Sequence, residues 1–113
     1  MIHEMKLQPE YYNYILHGTK RVEIRLNDDK RKNIKINDKI IFLKEPDLNE
    51  SFEVKVVKLI KYKSFEDMIK DYDISVLADK SITKKRLLAD LEKYYPKEKQ
   101  NECGVLCIEI ELI

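Results

Sequence analysis

Three predicted strands follow one another without an intervening helix, and this run limits the fold more than any other feature of the chain. With a first and a last strand, the predicted set covers Ile2–Leu7, Lys20–Leu26, Lys39–Leu43, a segment beginning at Phe52, and Gly104–Leu112. Because strands and helices do not alternate, a parallel α/β sheet is excluded. The order predicts a mainly β protein with helices (α+β), built as a small, partly open, mostly antiparallel β-barrel of about five strands.

About three helices flank these strands. The first begins at Pro9, which suits the first helical position, and ends at Gly18, which accepts a left-handed backbone. Ser64 and Thr83 are preferred N-cap residues and start the other two helices. In the fourth strand the alternation changes at Val56-Val57, as expected for a β-bulge or for a strand shared between two sheet surfaces. A length of 113 residues fits one core, so residues 1–113 are predicted to form a single domain.

The strand that begins at Lys20 carries the main candidate site. Apolar and charged residues alternate along it, so Glu23 and Arg25 share the face opposite the core. Lys20 stands at the start of the strand, where its long side chain reaches either face. A lysine, a glutamate and an arginine held together are suited to bind a phosphate or the polar edge of a base. The spacing alone leaves open an ordinary solvated strand with an internal ion pair.

Gly18, Lys20, Glu23 and Arg25 form the pattern Gly-x-Lys-x-x-Glu-x-Arg, which resembles the motif of the ASCH domain family, relatives of the PUA domains. Other stretches that fit in order and spacing are Asn37–Phe42, Tyr62–Phe65, Tyr94–Pro96 and the closing strand from Gly104. The resemblance runs from about Leu7 to the C-terminus. It implies a PUA-like barrel with a cleft that binds RNA or nucleotides, in which Gly18 and Gly104 are structural positions.

Tyr62, Ser64 and Tyr94 are further candidates for the walls of this cleft. An aromatic ring beside the cations stacks a base, an effect of about 1–3 kcal/mol per base. Each candidate has a structural alternative: Ser64 caps its helix, Tyr62 follows the bulge and has no fixed face, and Tyr94 lies just off the apolar stripe of its helix.

Two other stretches keep alternative interpretations. The charged loop Asn27–Lys32 is either a solvated turn or a basic lip beside the site. The cluster of Tyr11, Tyr12 and Tyr14 resembles a stacking platform. A short helix that packs one tyrosine into the core and exposes the others also accounts for it.

The charge balance limits the partner. Lys and Arg number 22 and Asp and Glu number 21, a net charge of +1, so the chain lacks the field of a non-specific nucleic-acid binder. A local patch must therefore meet any anionic partner, which favours a nucleotide, a nucleoside or a short stretch of RNA. No apolar run approaches the roughly 20 residues that span a bilayer, and no signal peptide is recognised, so a cytoplasmic location is expected.

No metal site and no cofactor are predicted. If Cys103 and Cys107 lie on one strand face, they are about 13 Å apart, too far to share a zinc ion or to form a disulfide. Two unpaired cysteines are compatible with a reducing compartment. The sequence does not indicate an oligomeric state.

Two functions are compatible with these residues. The first is a binding module that holds RNA or a nucleotide, in which Arg25→Ala weakens binding without unfolding the domain. The second is a small hydrolase, because one branch of the resembling family acts on acylated cytidine and other members are reported as ribonucleases. Lys20 matches the lysine of the amidohydrolase branch, Glu23 stands where that branch has threonine, and Asp79 lies near its acidic position. Lys20 and Glu23 would then perform acid–base work, with Asp79 as a third group. The missing hydroxyl favours the binding module.

Overall fold

A five-stranded sheet curls into a half-barrel, and five helices pack around it. The computed structural model describes residues 1–113. The strands are β1 (Ile2–Leu7), β2 (Val22–Leu26), β3 (Lys39–Lys44), β4 (Ser51–Tyr62) and β5 (Val105–Leu112). The helices are α1 (Pro9–Leu16), α2 (Phe65–Ile69), α3 (Ile74–Leu77), α4 (Lys84–Tyr94) and α5 (Lys97–Cys103).

The strand order in the sheet is β1-β3-β4-β5-β2, which leaves β1 and β2 as its two edges. β1 pairs with β3 in parallel, and the other three pairings are antiparallel. The register of β4 against β5 shifts between Val56 and Lys58, which confirms the predicted bulge. The predicted α+β class and the mostly antiparallel, partly open barrel are also confirmed.

Hydrophobic clusters cover both faces of β5. Leu106, Ile108 and Ile110 belong to a first cluster, which also contains residues of α1, β1, β3 and β4. Val105 and Cys107 point the other way, into a second cluster with β2 and the helices α2 to α4. A strand buried on both faces is fixed in orientation, so β5 positions its neighbour β2, which carries the candidate site.

Helix caps match the sequence-based predictions. The side-chain oxygens of Ser64 and Thr83 accept hydrogen bonds from the backbone N–H groups three residues on, at 3.2 and 3.1 Å. Two short helices, α3 and α5, lie outside the predicted set, because their sequences show little apolar periodicity.

Helix α5 corrects one expectation about the cysteines. Cys103 is the last residue of α5, so it does not share a strand face with Cys107, which lies within β5. Both thiols are unpaired. Gly104 turns the chain from α5 into β5 with a φ of 75°, and a Cβ there would approach the carbonyl oxygen of Tyr62 to 3.2 Å. Only glycine fits this turn without strain.

No helix is long and apolar enough to cross a lipid bilayer. No group of three His, Cys, Asp or Glu side chains is arranged to hold a metal ion.

Candidate functional site

A tight turn after α1 delivers Lys20 to the start of β2. Gly18 adopts a φ of 82°, which ends the helix. The backbone N–H groups of Thr19 and Lys20 both donate to the carbonyl oxygen of Tyr14, at 3.0 Å each. The chain therefore reverses within three residues, and Lys20 lies between α1 and the sheet.

The ammonium group of Lys20 is buried, with only 3% of the residue exposed. It donates to the carbonyl oxygens of Val22 at 2.5 Å and Leu77 at 2.6 Å, and it lies 3.6 Å from the carboxylate of Glu23. Burial lowers the pKa of Lys20, although the negative charge of Glu23 partly offsets the effect. The side chain is thus held in one position by groups from α3 and β2.

Glu23 and Arg25 extend from the same face of β2. In the pairing of β2 with β5, Glu23 lies opposite Ile108 and Arg25 lies opposite Leu106. The side chains of directly opposite residues lie on the same face of a sheet. Because Ile108 and Leu106 belong to the first cluster, Glu23 and Arg25 lie on the face that this cluster covers. Arg25 donates to Glu23 at 2.9 Å from Nε, and its terminal nitrogen lies 2.8 Å from the same oxygen. The other carboxylate oxygen accepts the N–H of Ile24 at 3.1 Å.

Glu23 stays ionised despite its burial. Burial by itself raises the pKa of this carboxyl, but the charges of Arg25 and Lys20 hold the pKa below its ordinary value. The pKa of Arg25 rises in turn, because the attraction of Glu23 outweighs the effect of burial. The structure therefore brings Lys20, Glu23 and Arg25 together as one buried charge cluster with Glu23 at its centre.

Arg25 also bridges the two edges of the sheet. Its terminal nitrogen donates to the carbonyl oxygen of Lys6 on β1, at 2.9 Å. Because β1 and β2 do not pair with each other, this bond crosses the opening of the half-barrel. The charge cluster consequently lies at the gap between the two edges.

A cleft of about 350 Å³ opens at this gap. The triplet of Lys20, Glu23 and Arg25 lines it, together with residues of α1 and α4. Half of its 14 lining residues are hydrophobic, including Ile24, Leu87 and Leu91. The cleft thus places buried charges beside an apolar wall.

The charges around the cleft balance. Its basic residues are Lys6, Lys20 and Arg25, and its acidic residues are Glu23, Glu45 and Asp90. Three of each sign give a formal charge of zero, so the cleft is polar without a strong net field.

Tyrosines form the aromatic part of the cleft. Tyr11 on α1 donates from its hydroxyl to Asp90 on α4 at 2.8 Å, and its ring centroid lies 5.8 Å from the ammonium of Lys20. Burial and the neighbouring Asp90 raise the pKa of Tyr11, so its hydroxyl remains a donor. Tyr94 lies at the end of α4 with 59% of its surface exposed, and Tyr95 follows it. An exposed ring at the rim of a cleft is accessible to a ligand.

The structure separates several predicted site residues from this cluster. Tyr94 lines the cleft, whereas Tyr62, Ser64 and Asp79 do not. Tyr62 pairs with Val105 and packs against the second cluster, on the opposite face from Glu23. Burial raises its pKa to about 12.

Ser64 and Asp79 have local structural partners instead. Ser64 caps α2, and the carboxylate of Asp79 accepts the backbone N–H of Ser81 at 2.9 Å. That bond lies within a turn, outside the cleft.

Tyr11 and Asp90 are among the cleft residues that the sequence does not identify. The sequence places Tyr11 in a tyrosine cluster that suits either a stacking platform or a helix with one packed and two exposed rings, and its patterns do not point to Asp90. Asp90 lies on α4 on the same side as Leu87, Leu91 and Tyr94, which also line the cleft. A carboxylate among these residues is the one feature of the sequence that could have indicated its role.

Comparison with known proteins identifies relatives along the whole chain. The sequence profile of the ASCH domain matches residues 5–113, which confirms the resemblance seen in the sequence. The hypothetical protein PH0355, solved by crystallography, is 35% identical over 100% of both chains, with a TM-score of 0.87. The protein PF0455 from Pyrococcus furiosus is 29% identical over 100% of this chain and 98% of that one, with a TM-score of 0.76.

A more distant structure supports the same architecture. An ASCH domain from Lactobacillus crispatus covers 98% of this chain and 79% of its own, with a TM-score of 0.65 and 11% identity, which is a likeness of fold alone. No curated protein matches the chain.

Proposed function

The chain belongs to the ASCH domain family, and we propose that it binds RNA or a nucleotide and holds one base in the cleft between α1 and α4. Its PUA-like fold is compatible with RNA binding. Residues 1–113 would act as one domain in the cytoplasm, where the two unpaired cysteines stay reduced.

The composition of the cleft carries this proposal. A base is flat, uncharged and rimmed by hydrogen-bond donors and acceptors, so it needs an apolar wall and nearby polar groups of both kinds. The cleft offers Tyr94 and Leu91 as the wall, and Glu23 and Arg25 as an acceptor and a donor. Its formal neutrality disfavours a polyphosphate, which needs a strongly positive pocket.

We expect Tyr94→Ala to weaken the binding of short RNA by roughly 5- to 150-fold, because a stacked base contributes about 1–3 kcal/mol. Fluorescence anisotropy with labelled RNA measures this loss, and calorimetry with nucleosides and mononucleotides tests the single base. The free energy of unfolding should change by less than about 0.5 kcal/mol, because Tyr94 is mostly exposed.

Lys93→Ala is the matched control, since Lys93 is exposed on the same helix and does not line the cleft. Unchanged affinity in Tyr94→Ala would remove the ring from the binding site. If the wild-type protein binds no RNA, nucleotide or nucleoside, the proposed function is wrong.

Hydrolysis of a modified nucleoside or of RNA is a second candidate function. The observation in its favour is the buried ammonium of Lys20, whose pKa is lowered and which lies 3.6 Å from Glu23 at the base of the cleft. An amine with a lowered pKa can accept a proton closer to neutral pH. The two carbonyl groups that hold Lys20 weigh toward a structural role.

Incubation with N4-acetylcytidine and with short RNA separates the two candidates. As a binding module, the protein should release neither acetate nor RNA fragments above a buffer control. Turnover that disappears in Lys20→Arg, with the variant still folded by circular dichroism, would establish the hydrolase instead.

A further inference from the structure

One partly buried cation in this protein, Arg31, has no ionic partner. Of the 22 lysines and arginines, only Lys20, Arg25, Arg31 and Lys44 are not exposed. Lys20 and Arg25 pair with Glu23, and Lys44 pairs with Glu50 at 3.3 Å. Arg31 is half-buried and forms no salt bridge and no side-chain hydrogen bond. Desolvating a guanidinium without a partner is costly, so this residue stands out from the other three.

The loop that carries Arg31 is well anchored. The backbone N–H of Arg31 donates to the carbonyl oxygen of Asp28 at 3.0 Å and to its carboxylate at 3.1 Å. The N–H of Ile34 donates back to the carbonyl oxygen of Arg31 at 3.2 Å, and Ile34 is 96% buried in the first cluster. The sequence left this loop open as a solvated turn or a basic lip, and these contacts make it a fixed turn.

The charges that act on Arg31 come mostly from the cleft. They belong to Arg25 and Glu23, which line the cleft, and to Asp28 in its own turn. Glu23 is already shared by Arg25 and Lys20, and Asp28 accepts a backbone N–H. Burial and the like charge of Arg25 lower the pKa of Arg31, and the charges of Asp28 and Glu23 offset this only in part.

We propose that Arg31 binds the phosphate group of a nucleotide or RNA strand whose base occupies the cleft. A planar guanidinium with free N–H donors matches phosphate oxygens in a bidentate geometry. A phosphate at Arg31 also supplies the ionic partner that Arg31 lacks. This inference rests on the proposed function and adds a phosphate position beside the formally neutral cleft. Phosphorylated ligands should therefore bind more tightly than nucleosides.

Inorganic phosphate tests the anion site without a base. Its titration, followed by the side-chain Nε–H resonances of arginine in NMR spectra, should shift the Arg31 signal in a saturable way. Arg31→Gln should abolish the saturable shifts in neighbouring backbone amides. Lys32→Gln should preserve them, because Lys32 is exposed in the same turn and faces Asp29 at 3.3 Å. An Arg31 signal that does not move, or an equal loss in both variants, overturns the proposal.

A comparison of nucleosides with their monophosphates tests the link to the cleft. In calorimetry, the monophosphate should bind about tenfold or more tightly than the nucleoside, and Arg31→Gln should remove this advantage while leaving nucleoside affinity unchanged. Equal affinities in the wild-type protein overturn the role of Arg31 and leave the proposed base site intact. If neither compound binds, but phosphate still shifts the Arg31 signal in a saturable way, the proposed function is wrong and Arg31 does not bind a nucleotide. The anion site at Arg31 would then still stand.

Discussion

Glu23→Gln is expected to destabilise the protein by about 3–5 kcal/mol at neutral pH, the cost of removing one partner from a buried ionic cluster. The carboxylate of Glu23 neutralises both Arg25 and Lys20, which lie 2.8 and 3.6 Å away. Glutamine keeps the volume and one acceptor oxygen but removes the charge, so two buried cations remain without compensation. Urea unfolding monitored by circular dichroism measures the change in the free energy of unfolding.

The same variant predicts a pH dependence. The folded-state pKa of Glu23 is lowered, so its stabilising contribution is present above the unfolded pKa, about 4.3, and is lost as the pH falls through the lower folded pKa. The free energies of unfolding of wild type and Glu23→Gln should therefore converge as the pH falls below about 4. Glu111→Gln is the control, because Glu111 is exposed on β5 and should cost less than about 0.5 kcal/mol. Equal stability of the two variants would show that the three charges do not act as a unit.

The sequence predicted that Glu23 and Arg25 lie together in the charge cluster, because their geometry is local. Glu23 and Arg25 are two residues apart on one strand, and strand parity alone puts them on one face. The groups that hold Lys20 are not local, since the carbonyl of Leu77 lies 57 residues away in a one-turn helix. Tyr11 and Asp90 are 79 residues apart, and their contact depends on how α1 packs beside α4. No periodicity along the chain reports such packing.

The bulge in β4 explains why Tyr62 does not reach the cleft. Before the bulge, Val54 and Val56 face the first cluster, on the same side as Glu23. Strict alternation would have placed Tyr62 on that side too. The extra residue reverses the parity, so Leu59 packs on the first cluster while Ile60 and Tyr62 pack on the second. The sequence located the bulge, but the face of each later residue required the register against β5.

Arg25→Ala is expected to cost about 2–4 kcal/mol of stability and at least tenfold in affinity for a nucleotide or short RNA. The sequence alone predicted a loss of binding without unfolding of the domain. The structure adds a cost in stability to this expectation, because the guanidinium both pairs with Glu23 and donates to the carbonyl oxygen of Lys6 across the sheet opening. Its removal leaves the buried carboxylate of Glu23 with Lys20 as its only cation and removes the hydrogen bond between Arg25 and β1. Urea unfolding and calorimetry, under conditions where the variant is fully folded, measure the two effects.

Arg25→Lys separates charge from geometry. Lysine retains the positive charge beside Glu23, but one ammonium group on a shorter reach does not span both Glu23 and the Lys6 carbonyl. We therefore expect an intermediate loss of stability and faster hydrogen exchange at the N–H of Glu45, which bonds to the carbonyl of Leu7 at the end of β1. Arg21→Ala, an exposed arginine just before β2, should change neither quantity.

Ligand binding should then be coupled to closure of the half-barrel. If a base occupies the cleft beside Arg25, it binds only the state in which the two sheet edges are held together, and a saturating ligand must raise the free energy of unfolding of the wild-type protein. The same ligand should raise it less in Arg25→Lys, because part of its binding energy is used to order the opening. A ligand that binds tightly, stabilises both proteins equally and leaves exchange at Glu45 unchanged would place the binding site away from this cleft.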